Sequence, residues 1–242
     1  MKPLVCAMGV SRKDAHLAAT WLQWVRVLGC EIDATVCYTR NTLAVDLDAM
    51  KEAAGGLVGS WVTFKVLPDE QENGYPGSAS HLFVRTMEQA ERDYPGHPVL
   101  WVEADAIPTR PTWFEEIESE YQTIGSPFMG HLELSVFPPH MAGVAVYPPN
   151  WRKLSPMLAS SHLAPDTRQW GRGKGQAFDT YAAPEVLWQA GQSTRIQQVW
   201  NCPRITEENI DAIIKPETAL FHQCKTGALI NVLSGRLFPS QS

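Results

Sequence analysis

Apolar and amphipathic segments alternate through the first hundred residues. Short apolar runs predict buried strands at residues 3–9, 33–39, 57–67 and 98–103. Apolar positions at helical spacing predict helices at residues 14–29, 45–54 and 79–94. Strands that alternate with helices of this length predict βαβ units and a mainly parallel sheet.

The second half of the chain has a less regular pattern. Strands are predicted at residues 127–134, 141–148 and 196–200, and helices at 150–159 and 178–189. The C-terminal pattern predicts a strand ending at His222, a turn near Gly227 and a final helix. We therefore predict an α/β protein with a Rossmann-like N-terminal half. All 242 residues are assigned to a single domain, with a nucleotide-binding half at 1–108 and an acceptor-side half at 109–242 that ends in a metal and diphosphate segment.

Composition narrows the function classes. With 44% hydrophobic and 19% charged residues, the chain is expected to bury a sizeable core. A net charge of −6 disfavours a protein that coats nucleic acid by charge alone, although a local basic cleft stays compatible with it. No apolar run approaches membrane-spanning length, so no membrane association is expected.

The cysteines give an expectation about location. None of the five forms a CxxC pair, and the expected state is reduced, mostly buried thiols in a cytoplasmic protein. They are Cys6, Cys30, Cys37, Cys202 and Cys224.

Two acidic residues, Glu103 and Asp105, directly follow the fourth predicted strand. The carboxyl ends of strands in an open parallel sheet line the ligand crevice, and residues two apart in an extended segment project to the same side. Carboxylate oxygens are preferred ligands of Mg²⁺ and Mn²⁺. The small Ala104 between them lets a ligand approach the backbone. The alternative is that Glu103 caps the strand and Asp105 opens a turn.

The segment LWVEADAIPTRPTWFEEI (residues 100–117) resembles the DxD-type metal motif of GT-A fold glycosyltransferases. In that family the acidic pair holds a cation that bridges the two phosphates of a nucleotide-sugar donor. The resemblance implies a GT-A-like three-layer αβα sandwich, a Mn²⁺ or Mg²⁺ cofactor and a nucleotide-sugar donor, with a UDP-sugar expected. Glu103 departs from the commonest first residue of the motif. Asp105 is therefore assigned to the metal, and Glu103 and Ala104 to donor contacts.

Three further segments resemble the family in the same chain order. In ALFHQCKTG, His222 matches the histidine that completes the metal shell. In MAGVAVYPPNW, Gly143 matches the glycine close to the sugar, and in GQAFDTYAAPEVL, Asp179 matches the catalytic acid at a helix start. An inverting transferase needs a general base on the acceptor hydroxyl, and Asp179 is the candidate. The alternatives are a packing or capping role for His222 and a helix N-cap role for Asp179.

The His-x-Cys-Lys-x-Gly ending, residues 222–227, is also similar to compact bacteriophage-type transferases that glycosylate hydroxymethylated DNA bases. That similarity implies modified DNA as the acceptor, and the host cytoplasm as the location if the chain is phage-encoded. Lys225 in this ending is a candidate diphosphate contact, with a solvated lysine as the alternative.

Other donor contacts are expected from loops. Ser11, Arg12 and Lys13 follow the first strand and are candidates for base or phosphate contacts, with an exposed basic turn as the alternative. Tyr75 is a candidate stacking partner for ribose or base. The loop at 164–176 is expected to act as a lid over the donor, to contact nucleic acid or to be a plain surface loop. Its cations and aromatic residue are Arg168, Trp170, Arg172 and Lys174.

Two rival functions stay open. A sugar nucleotidyltransferase also binds metal on an α/β nucleotide fold, but MGVSRKDAH (residues 8–16) lacks the Gly-rich signature usual after its first strand. A non-catalytic nucleic-acid-binding module would leave the acidic pair unexplained. A separate metal site at His131, His140 and His162 is disfavoured because their spacing matches no metal pattern.

Overall fold

The computed structural model describes residues 2–64, 77–163, 177–223, 225 and 227–239. Within them the strands are β1 (Val5–Val10), β2 (Ala34–Thr39), β3 (Val58–Phe64), β4 (Val99–Val102), β5 (Ile107–Pro108), β6 (Phe128–Glu133), β7 (His140–Tyr147), β8 (Ala190–Gln192), β9 (Ile196–Gln198) and β10 (Leu220–His222). The helices are α1 (Ala15–Val27), α2 (Ala44–Ala54), α3 (Gly77–Asp93), α4 (Trp113–Ile124), α5 (Trp151–Leu154), α6 (Pro156–Ser160), α7 (Phe178–Tyr181), α8 (Ala183–Val186), α9 (Ile210–Ile213) and α10 (Ala228–Leu237), with 3-10 turns at Ser161–Leu163 and Leu187–Gln189.

Seven strands form the main sheet, in the order β3-β2-β1-β4-β7-β6-β8. The first four in this order are mutually parallel, and β8 is parallel to β6. Strand β7 is antiparallel to both of its neighbours, β4 and β6. Its amino end therefore lies at the same edge of the sheet as the carboxyl end of β4. The predicted α/β class with a mainly parallel sheet is confirmed.

Both faces of the main sheet are buried, and successive residues of each strand point to opposite faces. Along β1, Cys6, Met8 and Val10 pack with α1, α2, α4 and α10. Val5 and Ala7 pack on the other face, against α3 and the short helices α5 to α8. Helices thus cover the sheet on both sides, as a three-layer αβα arrangement requires. The buried thiols expected from the sequence are observed for Cys6, Cys30 and Cys37.

A small sheet of three strands, in the order β5-β10-β9, extends the edge where β4 ends. Strand β5 begins five residues after Val102, is antiparallel to β10 and pairs Ile107 with Phe221. Strand β9 is parallel to β10 and pairs Gln198 with His222. The small sheet therefore brings the C-terminal part of the chain to the end of β4.

Two predicted helices are each broken in the structure. The helix expected at 150–159 is interrupted at Ser155, whose φ of −139° and ψ of 88° are not helical, and a new helix starts at Pro156. The helix expected at 178–189 is divided into α7, α8 and a 3-10 turn, with Pro184 in the first turn of α8. Proline lacks an N–H group and favours the first turn of a helix, so each proline starts a new helix. The strand expected at 196–200 ends at Gln198.

In the described parts of the chain, no helix has both the length and the apolar composition that crossing a bilayer requires.

Close packing at Gly9 predicts a stability difference between two glycine substitutions. A Cβ at Gly9 would lie 2.5 Å from Trp101 Cη2 and 2.6 Å from Leu82 Cγ, so Gly9→Ala should lower the free energy of unfolding by about 1–3 kcal/mol. At Gly235, in α10, a Cβ would meet only Glu207 Oε1 at 3.6 Å, and Gly235→Ala should be neutral or stabilising by up to about 1 kcal/mol. Urea denaturation of both variants measures the difference, and equal effects would contradict the packing argument.

Candidate active site

The acidic pair lies in a turn that directly follows β4. Ala106 N donates to Glu103 O at 2.9 Å, which closes the turn from Glu103 to Ala106. The backbone here is therefore a turn and not the extended segment that we expected. The expected placement of both carboxylates on one side is nevertheless observed, because both side chains contact His222.

Two indoles on α1 hold the segment that contains this turn. Trp21 Nε1 donates to Ala106 O at 2.6 Å, and Trp24 Nε1 donates to Pro108 O at 2.8 Å. Residues three apart share one face of a helix, so a single face of α1 makes both contacts. Both tryptophans are buried. The backbone that carries the acidic pair is thus fixed by the hydrophobic core.

His222 reaches the acidic pair through the small sheet. Continuing the β5–β10 register by one residue places His222 opposite Ala106. Its Nε2 atom lies 3.3 Å from Asp105 Oδ1 and 3.2 Å from Glu103 Oε2. His222 and Asp105 are only 3% and 7% exposed, whereas Glu103 is partly exposed. The three side chains form one cluster with an open side at Glu103.

The donor atoms of this cluster fit a hard divalent cation. One nitrogen and two carboxylate oxygens, from Glu103, Asp105 and His222, all lie within 4.8 Å of one another. Adjacent ligands of an octahedral Mg²⁺ or Mn²⁺ ion lie about 3 Å apart, close to the separations of Nε2 from the two carboxylates. Within the described residues, no other group of three His, Cys, Asp or Glu side chains meets in this way.

Protonation of the cluster follows from its burial and its contacts. Burial alone would lower the pKa of His222, but hydrogen bonds to Asp105 and Glu103 and their negative charges raise it to about 9. Burial raises the pKa of Asp105, yet its hydrogen bond to His222 and the charges of His222 and Lys225 bring that pKa below its usual value. In the absence of a cation, a proton on His222 therefore offsets the two carboxylates.

Gly143 on β7 lies beside the acidic pair. A Cβ at this position would lie 2.9 Å from Phe178 Cζ, 3.5 Å from Glu103 Oε1 and 3.6 Å from Asp179 Oδ2. The Tyr147 hydroxyl donates to Gly143 O at 2.8 Å and holds this part of the strand. A side chain at this position would displace Phe178, and the carboxylates of Glu103 and Asp179 both lie within 3.6 Å of the same point beside β7.

Asp179 lies inside α7, whose N-cap is Ala177, so the N-cap alternative for Asp179 is wrong. Its Oδ1 atom accepts a hydrogen bond from Thr180 N at 2.8 Å. Burial raises the pKa of Asp179; the nearby His140 and the Thr180 N–H oppose this increase, and Glu103 adds to it. The result is a partly buried carboxylate with an elevated pKa beside Gly143 and Glu103.

A cleft of about 240 Å³ lies beside the acidic pair, and Gly143 and Asp179 are not among the residues that line it. Its polar lining comes from Asp14, Glu103, Asp105 and Lys225, and Ala104 lies between the two acidic residues. Leu82, Trp101 and Phe178 contribute apolar surface. The candidates Glu103, Ala104, Asp105 and Lys225 are therefore brought together, with His222 directly behind the acidic pair.

The loop after β1 is arranged differently from the sequence expectation. Ser11 is partly buried and its hydroxyl donates to Asp14 Oδ2 at 2.5 Å, while Arg12 and Lys13 are exposed and do not line the cleft. Asp14, which the pattern marked only as a helix start, lines the cleft instead. Tyr75 and the 164–176 loop with its cations lie outside the described residues.

Sequence reasoning missed a polar neighbour of His222. Gln198 Oε1 lies 2.7 Å from His222 Nδ1, and Gln198 Nε2 donates to Glu133 Oε1 at 3.4 Å. Gln198 and His222 are partners in the parallel pairing of β9 with β10. The length of β9 and its pairing partner would have been needed to find this contact.

Comparisons with known proteins address the fold. No protein-family model and no curated protein matches the sequence. The solved structure of the galactosyltransferase LgtC with donor and acceptor sugar analogues is similar, with a TM-score of 0.56, 12% identity and coverage of 96% of this chain and 95% of that chain. The chain has a GT-A fold. The GT-A arrangement that the acidic motif implied is thus confirmed.

Two further structures belong to the same comparison. An active-site mutant of LgtC has a TM-score of 0.55 at 12% identity and covers 96% of this chain and 95% of its own. Mouse xyloside xylosyltransferase 1, in its apo form, has a TM-score of 0.49 at 11% identity, with 91% of this chain and 96% of that chain covered. At 12% identity the likeness to LgtC shows the GT-A fold, and the chemistry has to follow from the side chains at the site.

The raised pKa of His222 predicts a pH dependence of stability without divalent cations. The folded pKa of about 9 exceeds the usual value of 6.5, so the stabilisation is complete below pH 6.5 and is lost as the pH rises toward 9. Its size should be on the order of 3 kcal/mol. The His222→Gln variant has no proton to lose at this position, so its free energy of unfolding should decline less steeply as the pH rises. Urea denaturation in a chelator measures both proteins, and parallel curves would contradict the assignment.

Proposed function

We propose that the protein is a metal-dependent glycosyltransferase that moves a sugar from a nucleoside diphosphate donor, with a UDP-sugar expected, to an acceptor hydroxyl. One observation carries the proposal: Glu103, Asp105 and His222 converge at the carboxyl end of β4 on a GT-A fold. This edge is where open α/β sheets bind their ligands. The galactosyltransferase of similar fold was solved with donor and acceptor sugar analogues, which supports the same use of the cleft.

Asp105 and His222 would hold the cation, with Glu103 at its open side. When bound, a Mn²⁺ or Mg²⁺ ion supplies positive charge that stabilises the diphosphate as it leaves. Lys225 is exposed at the cleft and adds a second positive charge facing the same space. Ser11, Arg12 and Lys13 remain candidates for contacts with the nucleotide, because they follow β1 at this edge of the sheet.

The transfer breaks the bond between the sugar C1 atom and the donor phosphate oxygen, and the electron pair leaves on the diphosphate. The acceptor oxygen forms the new bond to C1, and its proton is taken up by Asp179. A base with an elevated pKa is better suited to this step at neutral pH. Asp179 Oδ2 and Glu103 Oε1 lie within 3.6 Å of the same point beside Gly143, and this closeness of the candidate base to the acidic pair supports the assignment.

The acceptor is assigned by its chemistry as a hydroxyl group. The similarity of residues 222–227 to transferases that modify DNA makes a hydroxymethylated base the first acceptor to test. A simple glycoside is the matching control, because it offers a hydroxyl group without a phosphate backbone. Transfer to the glycoside alone would remove DNA from the proposal and keep the transferase.

Loss of the metal ligand should weaken donor binding. We expect Asp105→Asn to weaken Mn²⁺-dependent UDP binding by at least about tenfold, because it removes a charged ligand and keeps the shape of the side chain. Isothermal titration calorimetry with UDP, with and without Mn²⁺, measures this effect. The control is Asp211→Asn, which affects only a surface carboxylate paired with Arg236 and should bind UDP normally. Unchanged binding in the Asp105 variant would refute the metal assignment.

Loss of the base should affect turnover and spare donor binding. A thermal-shift screen of nucleotide sugars with and without Mn²⁺ first identifies the donor, since a bound ligand stabilises the folded protein by mass action. With that donor, Asp179→Asn should lower turnover by about 10²- to 10⁴-fold. Its UDP affinity should stay near that of the wild type.

The same assays separate the rival functions. Full activity of Asp179→Asn would reduce that residue to a structural role in α7. Release of nucleoside triphosphate that depends on added pyrophosphate would identify a nucleotidyltransferase and overturn the transferase proposal.

A further inference from the structure

A series of polar side chains leads from His222 away from the cleft. His222 Nδ1 lies 2.7 Å from Gln198 Oε1, and Gln198 Nε2 lies 3.4 Å from Glu133 Oε1. We refer to Glu133, Gln198 and His222 as the polar relay. Its members are 7%, 7% and 3% exposed, so each must find its hydrogen-bond partners within the protein. His131 Nε2, at 3.6 Å from Glu133 Oε1, closes the far end.

The direction of each hydrogen bond in the polar relay follows from its donors and acceptors. A carboxylate only accepts hydrogen bonds, so the amide NH₂ group of Gln198 must face Glu133. The carbonyl oxygen of the same amide then faces His222, and because it also only accepts, Nδ1 must carry a hydrogen. A neutral imidazole has a single N–H group. The lone pair of neutral His222 is therefore on Nε2, the atom that faces Glu103 and Asp105.

We propose that Glu133, acting through Gln198, selects the tautomer of His222 that can ligate a cation. Glu133 is thus a positioning residue of the metal centre, and this inference rests on the function proposed above. Without the carboxylate, the amide of Gln198 is free to rotate by half a turn and donate to Nδ1. Neutral His222 would then carry its hydrogen on Nε2 and point an N–H group at the cation. Partners behind a ligating histidine set its tautomer in this way.

The polar relay also connects elements that are not adjacent in sequence. Glu133 ends β6 of the main sheet and is paired there with His140. Gln198 and His222 belong to the small sheet. The orientation of one ligand is therefore determined by a side chain of the other sheet, on the side of His222 away from the cleft. A purely local packing role would not require a carboxylate at that position.

The test measures Mn²⁺ affinity directly, without donor or acceptor. Electron paramagnetic resonance of free Mn²⁺ and calorimetry give the dissociation constant for each variant. We expect Glu133→Gln, which keeps the shape and removes the charge, to weaken Mn²⁺ binding by about 10- to 100-fold. The matched control is Glu120→Gln. Glu120 accepts hydrogen bonds from Ser193 and Thr194, lies outside the polar relay and should leave the affinity unchanged.

Exchanging the side chains of Glu133 and Gln198 should restore the Mn²⁺ affinity. In the double variant Glu133→Gln with Gln198→Glu, the new amide at position 133 donates to the new carboxylate at position 198. That carboxylate accepts from Nδ1 of His222, which restores the Nε2 lone pair. We expect Mn²⁺ affinity to return to within about threefold of the wild type. A role limited to packing would not predict rescue by the exchange.

The outcomes separate this inference from the proposed function. If the wild type does not bind Mn²⁺, both fail. If the wild type binds Mn²⁺ and Asp105→Asn does not, while Glu133→Gln binds normally, the metal centre stands and the polar relay is overturned. If Glu133→Gln loses affinity and the exchange does not restore it, Glu133 is structural and the tautomer argument is wrong. Thermal denaturation of each variant verifies that it is folded.

Discussion

Glu103 and Asp105 hold two negative charges against one buried imidazole, and this arrangement is costly unless positive charge accompanies it. Like charges that are brought together away from water repel strongly, and an unpaired buried charge destabilises a fold by several kcal/mol. The metal-free protein offsets them with a proton on His222, whose pKa is raised to about 9. A divalent cation can take over this role at the same donor atoms. The site is therefore built around a required positive charge.

The position of the other groups at the site depends on the direction of β7, which is antiparallel to β4. Because β7 runs antiparallel to β4, its early residues lie beside the carboxyl end of β4. This direction places Gly143 next to Glu103, and Phe178 and Asp179 pack against the same position. One side of the edge thus presents the candidate cation ligands, and the other presents a carboxylate of elevated pKa. These two chemically distinct groups lie close together because residue 143 has no side chain.

Much of this fold could be predicted from the sequence, because buried parallel strands are nearly continuous apolar runs. The approach of His222 to Asp105 followed only from family resemblance, since the pairing that joins them spans more than a hundred residues. The breaks in the two helices were missed because the helical spacing of apolar residues continues across Ser155 and Pro184. The helical backbone conformation, however, is interrupted at these points. Glu133 and Gln198 carry no local signal: each is an ordinary polar residue at a strand end, and only the packing of two sheets brings them together.

The division between the two sheets has a consequence for how a bound ion would affect the small sheet. Asp105 follows β4 of the seven-stranded sheet, whereas His222 belongs to the small sheet, whose strands are only two or three residues long. Short strands separate more readily than a central core, so the smaller set can detach while the larger one persists. An ion held by both would oppose that separation, because it binds the assembled arrangement and not the separated one. A bound ion would then slow the local opening of these three short strands.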